Sequence, residues 1–212
     1  MKQQDGSYAL TIGFAAGMIP ASMLDTINRI VKEEGALLHI TTAQKLMLLN
    51  LTKEASLRSR KTLTNAGAHF KYSRQVYQPR VCVGSKYCKI GLMDTLALGE
   101  LIHEHASGLD IPCNKIKIGV SGCAASCAHS TLADIGFVGK QNGYTVFMGG
   151  KAGYKPIQGR IIASSVNEEK ALKLIVRSVD IYRDNVEKGK KLVRLYDVIE
   201  IMGFEKFKKR LN

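Results

Sequence analysis

Acidic residues are scarce in this chain, and long apolar runs are missing. The 212 residues hold 18 Asp and Glu against 31 Lys and Arg, a formal charge of +13. Such an excess points to an anionic ligand or partner: nucleic acid, an acidic protein or a polyanionic cofactor. The longest apolar stretch, 9–24, is broken by Gly13, Gly17 and Pro20, short of the roughly 18 to 20 uncharged apolar residues of a membrane span. The same punctuation, following Asp5-Gly6, argues against a signal peptide. There is no Gly-x-Gly-x-x-Gly fingerprint for a flavin or nicotinamide, no internal repeat and no nucleic-acid-reading motif. With 45% apolar residues, a soluble, cytoplasmic protein of one or two packed domains is expected, without membrane or nucleic-acid partners.

The first part of the chain alternates strand-like and helix-like segments. Residues 10–14 read as a strand. Pro20 suits the first turn of a helix with Met23, Leu24, Ile27, Ile30 and Val31 on its apolar face and Gly35 as its stop. A second strand is expected at 37–41, a helix over 43–49, and another helix capped by Ser56 and stopped by Gly67. Tyr77-Gln78-Pro79 forces an extended connection, so the chain divides into domains 1–76 and 77–212. In the second, a helix is expected over 92–105 and strands over 115–120, 134–138 and 144–148. Helices follow from Asn167, with Ala171, Leu174, Ile175 and Val179 as one stripe, and the last includes Phe204 and Phe207. Lys206, Lys208, Lys209 and Arg210 read as its solvated face. The fold class is α+β.

Five cysteines is an odd number, and four stand in two tight pairs, Cys82-x5-Cys88 and Cys123-x3-Cys127. That suits metal or cluster ligation in a reducing compartment better than disulfides. Zinc knuckles and ferredoxin-type clusters use other spacings. Thiolates at these separations can converge on a compact cubane when each pair lies on a loop or helix start whose N–H groups face sulfur, and Gly84 and Gly122 stand where such loops need them. Cys113 lies outside the pattern. His103 and His105, two apart on an expected helix, make a poor metal pair, while His129 is placed to hydrogen-bond a cluster sulfur.

Two segments carry a family resemblance: Cys82-Val83-Gly84-Ser85-Lys86-Tyr87-Cys88-Lys89-Ile90-Gly91, and Lys115-Ile116-Lys117-Ile118-Gly119-Val120-Ser121-Gly122-Cys123-Ala124-Ala125-Ser126-Cys127. Both resemble the cluster-binding half of the sirohaem-dependent sulfite and nitrite reductases. Ala133-Asp134-Ile135-Gly136-Phe137-Val138-Gly139 and Phe147-Met148-Gly149-Gly150 fit the same family, and Ile40-Thr41-Thr42-Ala43-Gln44 is similar to the T-x-x-Q signature of its ferredoxin-like half-domain. The chain is thus identified as a small, single-module member.

The resemblance implies a ferredoxin-like half-domain followed by a mixed α/β domain that binds a 4Fe-4S cluster and sirohaem. Cys82, Cys88, Cys123 and Cys127 would ligate the cluster, with Cys127 bridging to the sirohaem iron. Lys115 and Lys117 match paired lysines that hold the anion and supply protons. Residues two apart in a strand share a face, which leaves Ile116, Ile118 and Val120 to the apolar side. Arg74 and Arg80 are candidates for cofactor carboxylates or the anion. Thr41, Gln44 and His39, which stands where relatives carry arginine, belong to the cofactor-binding signature, and Gly149 and Gly150 would permit close approach of backbone to cofactor. Ala124-Ala125 replaces the common Pro-Asn. The implied reaction is six-electron reduction of sulfite to sulfide, with nitrite to ammonia as a second activity and an acidic carrier such as ferredoxin as donor. Larger members carry two such modules, so either two copies associate as a homodimer to rebuild that arrangement or one copy suffices with a more open site. The competing reading is a non-catalytic electron-transfer or assembly subunit.

Overall fold

The computed structural model describes residues 1–70, 74–187 and 193–211. The chain forms two compact units, Met1–Tyr72 and Ser73–Asn212.

The first unit runs β1 (Tyr8–Gly13), α1 (Ala21–Glu34), β2 (Leu37–Ile40), β3 (Leu46–Leu51), α2 (Lys53–Asn65) and β4 (His69–Phe70). Its antiparallel sheet has the order β2-β3-β1-β4. That order, with two helices in a β-α-β-β-α-β chain, is the ferredoxin-like split arrangement. The core joins Leu10, Ile12 and Phe14 of the first strand region to Met23, Ile27 and Ile30 of α1, Leu46, Leu48 and Leu51 of β3, and Leu63 of α2. Gly35 ends α1 in the left-handed conformation, φ +62°.

The expected helix at 43–49 is a turn followed by a strand. Thr41 N–H donates to the Lys45 carbonyl (2.8 Å) and Lys45 N–H donates to Thr41 Oγ1 (3.1 Å), with Gln44 left-handed at φ +56°. These bonds close a hairpin between β2 and β3. A short apolar run does not by itself distinguish buried strand from buried helix, and the hairpin decides it. Helix α2 begins three residues before Ser56: Thr52 is its cap, accepting from Ala55 N–H at 3.1 Å, while the Ser56 hydroxyl donates back to the Lys53 carbonyl.

The second unit contains β5 (Gln75–Val76), β6 (Arg80–Val81), α3 (Gly84–Tyr87), α4 (Thr95–His105), β7 (Lys115–Ile116), β8 (Ile118–Ser121), β9 (Ile135–Lys140), β10 (Gly143–Met148) and β11 (Arg160–Val166). Helices α5 (Glu168–Asn185), α6 (Leu195–Met202) and α7 (Phe204–Leu211) follow. The main sheet, β11-β10-β9-β8-β6, is antiparallel across β11, β10 and β9 and parallel across β9, β8 and β6. Strands β5 and β7 form a separate parallel pair.

The single strand expected over 115–120 is therefore two strands in two sheets. The break falls at Lys117, whose N–H donates to the Asp134 carboxylate (2.8 Å) instead of to a neighbouring strand. The alternation survives the break: Ile116, Ile118 and Val120 are buried, and Lys115 and Lys117 are half-buried. Strand β11 had no sequence expectation, and its shifted register against β10, with Ser165 at φ +55°, disrupts the period of two that marks a strand. Helix α5 is capped by Asn167, and Ala171, Leu174, Ile175 and Val179 are buried as expected. On α7, Phe207 is buried and Lys206 and Lys209 are exposed.

Candidate functional site

Both cysteine pairs follow the C-terminal ends of two adjacent strands of the main sheet. In the parallel pair β6 and β8, Arg80 lies opposite Gly119 and Val81 opposite Val120. The next residues, Cys82 on one side and Ser121-Gly122-Cys123 on the other, thus emerge together. Cys82 N–H donates to the Val120 carbonyl (3.0 Å), and Gly122 N–H donates to Cys82 Sγ (3.1 Å). A backbone N–H aimed at sulfur is a contact that a metal-bound cysteine also accepts.

Glycine lets the two segments touch. Gly84 opens α3 at φ +63°, and a Cβ there would stand 2.7 Å from Thr95 N and 2.8 Å from the Met93 carbonyl oxygen. A Cβ on Gly122 would lie 3.1 Å from Gly84 Cα. Thr95 fastens the junction, its hydroxyl donating to the Cys82 carbonyl at 2.5 Å. Cys88 closes α3 by donating to the Gly84 carbonyl (2.9 Å). The second pair sits on a turn held by Ser121, whose Oγ accepts from Ala128 N–H (3.1 Å) and lies 2.8 Å from Ser130 Oγ.

All four thiols are free; Cys82, Cys88 and Cys123 are half-buried and Cys127 is exposed. Among the described residues no three His, Cys, Asp or Glu side chains are grouped to hold a single metal ion. Four free thiols on two abutting loops, one with an N–H on its sulfur, are sulfur donors of the kind a 4Fe-4S group takes. Cys113 stands apart and buried, with Sγ 3.2 Å from the Tyr182 hydroxyl. His129 is exposed.

A cationic group gathers at the other end of β8. Burial pulls the Lys117 ammonium below the usual lysine range, and the charges of Lys115, Arg194 and Arg80 push the same way while Asp134 opposes them. Arg80 is half-buried, and burial lowers its proton affinity too. Lys115 Nζ lies 5.6 Å from the centre of the Tyr77 ring. Arg194 is clamped by Asp134, with Nε to Oδ1 at 3.0 Å and Nη2 to Oδ2 at 2.6 Å. Burial raises the Asp134 carboxyl, and Arg194 and the Lys117 N–H pull it back down. Lys117 thus has three cations, Lys115, Arg194 and Arg80, and one buried carboxylate, Asp134, as its charged neighbours, and an excess of positive charge of this kind suits an anion.

Of the expected site residues, the structure thus brings Lys115, Lys117 and Arg80 into one electrostatic group. Arg74 is exposed at the start of β5, at φ +62°, bonded through its N–H to the Asn114 carbonyl (2.9 Å). The space at Gly150 is taken by protein backbone, since a Cβ there would meet Leu132 C at 2.7 Å and Thr131 O at 2.8 Å. Gly149 donates to the Asp134 carbonyl (2.9 Å). On its Cβ side Gly150 therefore abuts the turn beyond Cys127, while Gly149 faces Ile199 and Tyr196 of α6. In the first unit, His39 lies on the exposed edge strand β2, and Thr41 and Gln44 form the hairpin turn, with the Gln44 side chain beside Gly17.

Sequence reading missed Arg194, Tyr77 and Asp134 as site residues. One signal was available: Asp134 ends an acid-free run that begins after Asp110 and holds Lys115, Lys117 and one cysteine pair. Arg194 carried no local signal.

A ferredoxin-like unit, a mixed-sheet unit with two abutting cysteine loops and a neighbouring cation group are the features of an α+β iron–sulfur protein. Comparison with known proteins makes this specific. Residues 72–212 match the nitrite and sulphite reductase 4Fe-4S domain, and residues 1–63 match the nitrite/sulfite reductase ferredoxin-like half domain. The chain belongs to the nitrite and sulphite reductase 4Fe-4S family. It is 33% identical over 94% of its length, and 89% of the other's, to an assimilatory-type sulfite reductase of Nitratidesulfovibrio vulgaris. It is 27% identical over 88% of its length to the nitrite reductase (NADH) large subunit of Escherichia coli, of which the match covers only 22%. The Mycobacterium tuberculosis NirA structure superposes on all of this chain with a TM-score of 0.78 at 21% identity, covering 40% of that protein, a likeness of fold.

Proposed function

We propose that this chain is a small reductase that converts sulfite to sulfide, with nitrite to ammonia as a second reaction, on a 4Fe-4S cluster and sirohaem. Its relatives are named sulfite and nitrite reductases. The observation that carries the reading is the parallel pairing of β6 with β8, which starts both cysteine loops from the same end of two neighbouring strands. In this reading Cys82, Cys88, Cys123 and Cys127 hold the cluster. Cys127, exposed where the other three thiols are half-buried, would be the ligand on the sirohaem side.

When bound, the coupled metal groups supply single electrons and an iron centre for the anion. Bisulfite, six electrons and six protons give hydrosulfide and three waters. The chain's own part is charge and protons. Lys115 and Lys117 hold the anion, and Lys117 Nζ, which binds its proton less tightly than an ordinary lysine, is the readier donor to departing oxygen. Arg80 and Arg74 serve the anion or the cofactor carboxylates. Asp134 fixes Arg194, which adds a guanidinium to the same group. His39, Thr41 and Gln44 are the proposed sirohaem contacts of the ferredoxin-like unit. An acidic carrier such as ferredoxin donates electrons, one copy or a homodimer is the working assembly, and the cytoplasm is the compartment. Among the described residues no helix is long and apolar enough to cross a membrane.

The test is the ultraviolet-visible spectrum of anaerobically purified protein before and after reduction and sulfite addition. Sirohaem-type bands that shift with sulfite support the reading. Cluster absorbance without those bands, even after sirohaem is supplied, overturns it in favour of a non-catalytic electron-transfer or assembly subunit.

A further inference from the structure

The turn that carries Cys127 is laid into the main sheet. Gly119 and Gly136 are partners across β8 and β9. A Cβ on Gly119 would stand 2.9 Å from Ser130 Cα, and one on Gly136 would stand 2.6 Å from the Ser130 carbonyl carbon. The paired glycines thus leave a trough two strands wide, and the turn runs through it. Its residues alternate: Ala128 and Ser130 are buried against the sheet, and Cys127 and His129 are exposed.

The backbone on either side of Cys127 is strained. Ser126 stands at φ +52° and His129 at φ +51°, a region that costs an L residue free energy and persists only where the surroundings impose it. Three serine hydroxyls do so here. Ser121 Oγ, on β8, accepts from Ala128 N–H (3.1 Å) and lies 2.8 Å from Ser130 Oγ, and Ser126 Oγ accepts from Ser130 N–H (3.1 Å). His129 N–H donates to the Ser126 carbonyl (2.7 Å), and Ser126 N–H donates to the Cys123 carbonyl (3.2 Å). Ser121 and Ser130 are fully buried, so water does not compete for the contact between their hydroxyls. Glycine at 126 and 129 would relieve the strain, and the chain carries serine and histidine instead. Strain kept beside a reactive group by a dedicated network is a way of fixing geometry for chemistry.

We propose that Ser121, Ser126 and Ser130 are positioning residues for Cys127, a hydroxyl clamp that holds its thiol outward in one place. The inference rests on the reading above in which Cys127 is the ligand on the sirohaem side. The other three cluster cysteines are fastened elsewhere: Cys82 through the Thr95 hydroxyl, Cys88 through the Gly84 carbonyl, and Cys123 by following β8 directly. Loosening the clamp therefore moves Cys127 alone. A cluster with three fixed ligands withstands that movement, whereas a macrocycle that meets the cluster at Cys127 does not. Ser121 also lies four positions beyond Lys117, on the side of the strand away from the buried Ile118 and Val120. One strand face thus carries both an anion-binding lysine and the anchor of the Cys127 turn.

The experiment compares the holoenzyme with its Ser121→Ala, Ser126→Ala and Ser126→Asn variants, reading acid-labile sulfide for the cluster and the rate of sirohaem loss during anaerobic gel filtration for the macrocycle. Both alanine variants are expected to keep their sulfide and to lose sirohaem about fivefold faster, the factor that one buried hydrogen bond supplies. Asparagine tolerates the left-handed backbone and offers an acceptor oxygen, so Ser126→Asn is expected to retain sirohaem as the unsubstituted protein does. Sulfide and sirohaem lost together overturn the proposal, since the serines would then serve the whole lobe. Unchanged sirohaem retention in both alanine variants also overturns it, as does a Ser126→Asn variant no better than Ser126→Ala. Hydrogen exchange of the unsubstituted protein is the second measurement and needs no variant to fold. The Ala128 and Ser130 amides, both bonded to serine oxygens, are expected to exchange at least about tenfold more slowly than those of the exposed Ala124 and Ala125, and equal rates overturn the clamp. If the unsubstituted protein takes up no sirohaem when supplied with it, the reductase reading fails, and the exchange rates still decide for or against the clamp.

Discussion

Asp134 and Arg194, separated by 60 positions in the chain, form a two-pronged ion pair of 3.0 and 2.6 Å around a fully buried carboxylate. The same carboxylate holds the Lys117 N–H at 2.8 Å. One side chain therefore sets the break between β7 and β8, the position of Lys117 and the orientation of Arg194.

Removing the carboxylate leaves the half-buried Arg194 without its partner beside other cations. Asp134→Asn is expected to destabilise the protein by about 3 to 5 kcal/mol, the usual cost of breaking a buried pair from one side, measured by urea unfolding. Asp134→Asn with Arg194→Met should recover part of that loss, since both charges are then gone. If the double variant is as unstable as the single, the pair is not the cause.

The four thiols divide sharply from the fifth. Serine at Cys82, Cys88, Cys123 or Cys127 should lower bound iron and acid-labile sulfide well below the unsubstituted protein. Cys113→Ala should leave both unchanged, because Cys113 is packed against Tyr182 away from the cysteine loops. Iron and sulfide analysis after anaerobic purification checks this, and iron loss in the Cys113 variant would refute the assignment.

Backbone contact between the cysteine loops makes Gly84 intolerant of any side chain. Gly84→Ala puts a Cβ at 2.7 Å from Thr95 N in a left-handed backbone, and neither partner is a flexible side-chain end. A loss of roughly 2 to 4 kcal/mol is expected from strain and overpacking together, with reduced cluster content. Thermal unfolding and the iron assay read the two effects, and a variant with normal stability would show that the loops part easily.

Anion binding should depend on pH through Lys117. Its proton is held less tightly than that of a free lysine, first through burial and then through Lys115, Arg194 and Arg80, with Asp134 opposing. A bound anion favours the charged ammonium, so the complex keeps this proton to higher pH than the free protein does. Affinity for nitrite, whose own charge is constant over this range, is full below the lowered pKa of Lys117 and falls as pH rises through it. For folding alone, the lowered value means the charged form is disfavoured in the native state, so this residue's contribution improves as pH rises from that value towards the ordinary lysine pKa. Spectral titration with nitrite across pH checks the first statement. Lys117→Met should weaken binding and remove this step, and a persistent step would assign it to another group.

Much of this protein was legible in local sequence because the physics there is local. The cysteine spacing, the helical stripe through Ala171, Leu174, Ile175 and Val179, and the Asn167 and Gly35 helix boundaries depend on neighbours within a few residues. So does the alternation that buries Ile116, Ile118 and Val120 while leaving Lys115 and Lys117 half-buried.

Other features were decided only by partners far along the chain. The run 46–51 is apolar enough for helix or strand, and the Thr41 and Lys45 bonds together with pairing to β1 made it a strand. The segment 115–120 reads as one strand, and the Asp134 carboxylate divided it by taking the Lys117 N–H. Arg194 has no motif of its own and joins the cation group because Asp134 holds it there. Sequence by itself determined which residues can ligate and which faces are apolar, since chemistry and periodicity belong to the local chain. Tertiary structure decided which backbone donors remained free for side chains and which distant charges met in one place, because both depend on where the folded chain returns.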